Sequence, residues 1–192
     1  IIKNYGLDPL RYYLIKEVSF GNDGNISEEK LENCINSDLA NNYGNLCQRV
    51  VSFCEKNAEL KVGEEIKFNE DDNLELLKFT DSYQNIVGFI DKQDINSYIS
   101  FIVERLFAAN KYFNDQEPWK KKDNKVRLNT IIYTSLELIR KITILMYPIM
   151  PETSIKVMSI FNYSEKDIKL DSFIENNFIK KNIKLNKKGI LF

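Results

Sequence analysis

Asn45 and Arg49 stand four residues apart within the stretch N-S-D-L-A-N-N-Y-G-N-L-C-Q-R-V-V-S-F, residues 36–53. Residues at i and i+4 project side by side from a helix, so the two form one hydrogen-bonding edge. An amide supplies a donor and an acceptor, and a guanidinium supplies a planar fork of donors. That combination can read the edge of an unpaired base from a rigid helix. Asn41 falls four residues earlier on the same line. A solvated polar helix face has the same pattern, and this helix alone does not separate the two readings.

The second chemical stretch is K-Y-F-N-D-Q-E-P-W-K-K-K, residues 111–122, which holds the one tryptophan of the chain. Trp119 follows Pro118 directly, and Lys120, Lys121 and Lys122 follow Trp119. An aromatic face beside local positive charge is what holds an unstacked base next to its phosphates, and each stacked base contributes about 1–3 kcal/mol. The alternative is an indole that closes one end of a bundle, with the lysines as the solvated start of the next helix.

The elements that must position these groups are helical. Leu39, Tyr43, Leu46, Val50 and Phe53 alternate at spacings of four and three, the period of one buried helix face. Asp8-Pro9 reads as an N-cap followed by a first-turn proline, with Leu10, Tyr13, Leu14 and Val18 on the inner face. Phe20-Gly21-Asn22-Asp23-Gly24-Asn25 reads as a loop. Ser27 caps the next helix, with Glu28 and Glu29 in its first turn, and that helix runs to about Asn57. Asp38 marks either a kink or a restart within it. Residues 58–72 read as a polar surface connection. Helical spacing returns at Leu74, Leu77, Ile86, Phe89 and Ile90, with Gly88 tolerated inside. Asp94 opens a helix with Ile99, Ile102, Leu106, Ala109 and Phe113 inward. Residues 125–147 form the longest apolar-periodic stretch, and Pro151 opens a further helix to about Tyr163. Ile190-Leu191-Phe192 reads as a terminal strand. The expected fold is all-α: a bundle of about five main helices with short loops and a short irregular or β-like tail.

Composition narrows the chemistry. With 192 residues the chain can bury a core of its own, and 43% hydrophobic with 29% charged residues places it among globular domains. Seven glycines and four prolines are too few for an all-β sandwich with its many turns. A net charge of −1 excludes a blanket attraction to phosphate, so any nucleic-acid contact is local. There is no histidine, which removes His-dependent triads and His-ligated metals. Cys34, Cys47 and Cys54 form no C-x-x-C pair and read as buried free thiols of a reducing cytosol. No run of about 18 apolar residues is present to cross a membrane. The opening I-I-K-N-Y-G-L-D-P lacks an initiator Met and reads as the middle of a longer protein.

Taken together, these stretches resemble the anticodon-binding domain of bacterial methionyl-tRNA synthetases, which are class I aminoacyl-tRNA synthetases. The resemblance is carried by Y-G-L-D-P-L-R-Y-Y-L (residues 5–14), F-G-N-D-G (20–24) and I-N-S-D-L-A-N (35–41). It continues through G-N-L-C-Q-R (44–49), N-D-Q-E-P-W (114–119) and the proline-bounded turn M-Y-P-I-M-P (146–151). It covers residues 1–162. Residues 58–97 diverge and residues 164–192 are hard to align, so nothing is transferred there.

The resemblance implies an anticodon-reading role for Asn45 and Arg49 by hydrogen bonding and for Trp119 by stacking. Asn41, Pro118, Lys120 and Lys121 are implied as supporting positions. It implies the tRNA(Met) anticodon stem-loop, with anticodon C-A-U, as partner, and the catalytic domain of the same polypeptide as neighbour. Residues 1–18 would be a linker helix following that domain, residues 19–163 the anticodon-binding bundle, and residues 164–192 a C-terminal tail. ATP and magnesium, and zinc where a zinc knuckle is present, would belong to the missing catalytic half. The chain starts downstream of K-M-S-K-S and carries no H-I-G-H. It is therefore expected to hold no catalytic residue and no metal ligand and, taken alone, not to activate methionine. Two other readings stay open at this point: the equivalent domain of a Leu, Ile, Val or Cys synthetase, and a helical module that binds protein.

Overall fold

The computed structural model describes residues 2–17 and 26–187. The expectations for Val18, for the loop at residues 20–25 and for the strand at residues 190–192 fall outside the described residues. Within them the chain is all-α. The order is α1 (Ile2–Tyr5), α2 (Leu7–Glu17), α3 (Glu28–Cys34), a π-helical segment (Ile35–Gly44), α4 (Asn45–Ala58), α5 (Glu70–Thr80) and α6 (Tyr83–Asp91). Then come α7 (Ile95–Asp115), α8 (Lys125–Met146) and α9 (Pro151–Met158), followed by short 3-10 turns.

The bundle is built around α8. Every residue from Thr130 to Met146 is buried, and α4, α5, α7 and α9 all pack on it. A helix buried all round must satisfy its own polar groups. Thr130, Ser135 and Thr143 do so by donating hydroxyl bonds to the carbonyls of Val126, Ile131 and Ile139 at 2.7–2.8 Å. Deeper still, Glu137, Arg140 and Lys141 are fully buried. Arg140 Nε lies 2.7 Å from Glu137 Oε2, and its other nitrogens donate to the carbonyls of Ser172 (2.9 Å) and Glu175 (2.7 Å). Lys141 donates to the Phe173 carbonyl. Glu137 accepts the Ile179 N–H at 2.6 Å. These side chains strap residues 170–179 to the bundle, with Phe173, Ile179 and Leu185 in the core.

Several local expectations are corrected. Asp8 does not cap its own helix, which begins at Leu7; it is buried, and its Oδ2 accepts the Thr153 N–H at 2.7 Å, closing the first turn of α9. Gly6, at φ +84°, allows the sharp break between α1 and α2. Asp38 does not restart its helix: the run from α3 to α4 is continuous, with ten residues in the wider π conformation. Asp38 instead anchors that run to α2, accepting from the Tyr12 hydroxyl at 2.9 Å and the Lys16 ammonium at 2.7 Å.

Residues 58–72 are more than a surface connection. Val62 is fully buried, Lys61 pairs with Lys184 as an isolated antiparallel bridge, and the Lys67 N–H is held by Thr130 Oγ1 at 3.0 Å. Leu74, Leu77 and Ile90 point outward, while Leu76, Phe79 and Ile86 make the core contacts. The mixed run at 74–77 fits two helical phases, and packing selected the one that seats Phe79 against Phe173, ring centroids 5.7 Å apart. α9 ends at Met158 rather than near Tyr163 and passes into a 3-10 turn closed by Asn162 at φ 62°.

Candidate nucleic-acid interface

α4 and the C-terminal end of α7 lie against each other, and the candidate residues gather there. Leu46, Cys47, Val50, Val51 and Cys54 turn the apolar face of α4 inward, which leaves Asn45 exposed and Arg49 half-buried. In an α-helix a residue four positions on leads by about 40°. In a π-helix, whose turn holds about 4.4 residues, it lags by about 30°. The change from π to α between Asn41 and Arg49 makes these offsets oppose each other, so Asn41, Asn45 and Arg49 keep to one edge. At its far end Asn41 enters a groove lined also by Lys16, Lys30 and Asn33.

Arg49 is held in place by α7. Its Nη2 donates to Asn114 Oδ1 at 2.5 Å, and its guanidinium carbon lies 5.5 Å from the centre of the Phe113 ring. The same ring meets Trp119 edge-on, centroids 6.5 Å apart at 72°, and is backed by Phe53 at 5.8 Å. Phe113 is buried while Trp119 keeps 44% of its surface exposed. One buried ring therefore contacts both the guanidinium and the indole. A short polar clamp ties α7 to the π-helical segment that leads into α4, Asn110 Nδ2 donating to Asn42 Oδ1 at 2.7 Å.

Trp119 sits in a 3-10 turn, Pro118–Lys120. The turn is entered through Glu117 in the left-handed region, φ 42°, an uncommon conformation for a side chain of this size. Pro118 is buried beneath it. The lysines divide their work. Lys120 is exposed and pairs with Glu117 at 2.7 Å. Lys121 is half-buried and donates to the Gln116 carbonyl at the end of α7, a helix-terminating contact. Lys122 is exposed.

Beneath the turn lies a polar group that sequence reasoning missed. Arg127, in the first turn of α8, donates to both oxygens of the fully buried Asp72 at 2.5 and 3.0 Å and to Gln116 Oε1 at 2.5 Å. Gln116 Nε2 donates to Asp71 at 3.1 Å. The Tyr112 hydroxyl also donates to Asp72. Burial first, then the Asp72 charge, pushes the Tyr112 phenol well up, so it stays a donor. Asn114 and Phe113 were also missed as site residues. Their only sequence signal is a place five and six residues before Trp119, and their partner Arg49 lies 65 residues away from Asn114.

The three thiols do not offer themselves to a metal. Burial raises Cys34 to about 11 and Cys47 and Cys54 to about 12, which keeps them protonated, and a metal ligand must be a thiolate. Among the described residues no group of three or more Cys, Asp or Glu side chains could hold a metal ion, and no helix is long and apolar enough to cross a membrane.

The chain as a whole is similar to known proteins. Residues 1–51 match the family described as tRNA synthetases class I (M), and residues 69–187 match the anticodon binding domain of methionyl tRNA ligase. The methionine–tRNA ligase of Mycobacterium leprae is 35% identical over 170 residues, covering 86% of this chain and 32% of that protein. That of Thermotoga maritima is 36% identical over 170 residues, covering 88% of this chain and 27% of that one. Among solved structures, the free-state Mycobacterium tuberculosis methionyl-tRNA synthetase superposes with a TM-score of 0.90 at 30% identity. That match covers 100% of this chain and 39% of the other. The chain spans about a third of the length of the curated relatives it matches.

Proposed function

Since the chain belongs to the family of methionyl-tRNA ligase anticodon-binding domains, we propose that it reads the C-A-U anticodon of tRNA(Met), with Asn45, Arg49 and Trp119 in direct contact. The observation that carries this reading is the shared Phe113 ring, which puts a half-exposed indole beside a positioned guanidinium. Sequence-specific RNA recognition works on unstacked loop bases, stacked on aromatic faces and hydrogen-bonded along their Watson–Crick edges. Cytosine presents one exocyclic amine donor, one ring-nitrogen acceptor and one carbonyl-oxygen acceptor along that edge. An amide oxygen at Asn45 takes the amine, and the Arg49 fork supplies the acceptors with protons. Uracil reverses part of that pattern and leaves a buried donor facing a donor. Asn41, Pro118, Lys120 and Lys121 support the site: Pro118 and Lys121 hold the turn, Lys120 faces the phosphates, and Asn41 extends the polar edge.

The wider activity, ATP-dependent attachment of methionine to tRNA(Met) in the cytoplasm, is a property of the full ligase. ATP, magnesium and any zinc would bind in a catalytic domain of the same polypeptide. The protonated thiols described above and the absence of histidine do not fit a zinc site in this chain, and no step is assigned to it here.

The test is binding of a short anticodon stem-loop at rising salt. The C-A-U loop binds, affinity falls steeply with salt, and replacing the first anticodon base by U weakens binding by roughly 5- to 150-fold. Equal binding of both loops overturns base reading; salt-insensitive capture of a protein ligand instead would favour an interaction module.

A further inference from the structure

The Trp119 turn is anchored to the bundle at both ends, with Pro118 buried between them. Gln116, which closes α7, is buried and gives its side-chain oxygen to Arg127 and its amide nitrogen to Asp71. Its backbone carbonyl takes the Lys121 ammonium from the far side of the turn. Arg127 spans the loop from the other end: Asn124 caps α8 through the Arg127 N–H at 3.0 Å, and the Arg127 guanidinium returns to Gln116 and to Asp72 on α5. Three helix ends (α5, α7 and α8) thus converge on one amide. Between these anchors the backbone adopts the left-handed Glu117, a conformation that persists only where surroundings over-determine it. The indole meets the Phe113 ring edge-on, with centroids 6.5 Å apart, and keeps 44% of its surface exposed.

From this convergence we infer that Gln116 and Arg127 are positioning residues for the Trp119 stacking platform, acting through the backbone of the turn without touching RNA. The inference rests on the anticodon-reading role proposed above. The pair Asp72–Arg127 also joins α5 to α8, so removing either charge would leave the other without its counter-charge and cost fold stability. Gln116 is different: with it gone, the Asp72–Arg127 pair remains closed and only the link to the turn is cut.

Trp119 is the one tryptophan of the chain, so its fluorescence reports the platform alone. The experiment compares the 192-residue chain with Gln116→Met and with Arg127→Lys, which keeps the charge opposite Asp72 but cannot span three acceptors. In both, free of RNA and below their melting transitions, acrylamide quenching of Trp119 rises and its anisotropy decay gains a fast component. Affinity for the C-A-U stem-loop falls by roughly 5- to 10-fold, part of a full stacking contribution. Binding of the loop with U at the first position falls by the same factor, because the Asn45–Arg49 edge is untouched. A lowered melting temperature with unchanged quenching and anisotropy would show a purely structural role and overturn the inference. Failure of the unsubstituted chain to bind the stem-loop would instead overturn the anticodon reading, while the fluorescence result still decides the positioning role.

Discussion

Arg49 on α4 and Asn114 in the last turn of α7 are joined by a 2.5 Å hydrogen bond across 65 residues of sequence. One nitrogen of the guanidinium fork is thereby committed, and the orientation of the others is set. Side-chain order of this kind lowers what must be given up on binding. Arg49→Ala is expected to weaken stem-loop binding by about 1–3 kcal/mol, the scale of a bidentate base contact. Asn114→Ala leaves the charge in place but unaligned, so its loss is smaller and falls mainly on discrimination between C and U. Stem-loop titrations of both variants check this; equal affinity for all three proteins would reject the assignment.

Trp119 keeps 44% of its surface exposed and meets the Phe113 ring edge-on. Trp119→Ala should therefore lose most of a stacking contribution, about 1–3 kcal/mol, while its denaturation midpoint moves little. Trp119→Phe should retain part of the binding. A core tryptophan would behave in the opposite way, costing about 3–5 kcal/mol of stability on truncation. One denaturation curve beside one titration separates the two.

Asp8 is a cap delivered from 145 residues away. Asp8→Ala is expected to cost about 1–2 kcal/mol, as loss of an N-cap at a helix end does. Asp8→Asn keeps the acceptor and should cost less. Because the bond ties α2 to α9, protease sensitivity should rise first around those two helices; a melting temperature equal to that of the parent would refute the cap.

Stability should depend on pH through Lys141. Burial first, and then the neighbouring Arg140 charge, lowers its amine to about 7, against opposing attraction from Glu137 and Glu175. An unfolded lysine keeps its proton to about 10.4. Above pH 7 the unfolded chain therefore binds more protons than the folded one, and stability rises with pH, by at most about 1.4 kcal/mol per unit. Above about pH 8 the sign reverses, because folded Cys34, Cys47 and Cys54 stay protonated, at about 11, 12 and 12, where unfolded thiols, with a pKa of about 8.5, ionise. Denaturation midpoints should peak near pH 8. Lys141→Met should flatten the rise between pH 7 and 8 and leave the fall above it.

What the sequence by itself determined were features written in local periodicity. The buried faces of α4, α7 and α8 followed from spacings of three and four, since a helix repeats every 3.6 residues whatever surrounds it. The Ser27 and Asp94 caps were equally local: each accepts from a backbone N–H three residues on. So was the adjacency of Asn45 and Arg49. Only the tertiary structure decided the rest. Leu74 and Leu77 fit either of two phases, and contact with Phe173 chose the other one. Asp8 had a good cap motif for its own helix and used it on α9. Glu137, Arg140 and Lys141 look like a solvated charge run in a helix, yet carbonyls of residues 172–175 make their burial possible. The ten-residue π segment left no mark that composition reveals. Above all, nothing in a linear spacing says that Arg49 and Trp119 share the ring of Phe113. That meeting follows from how α4 packs on α7 and from the Gln116–Arg127 strap beneath the turn, contacts between segments far apart in the chain, whose energies no local pattern encodes.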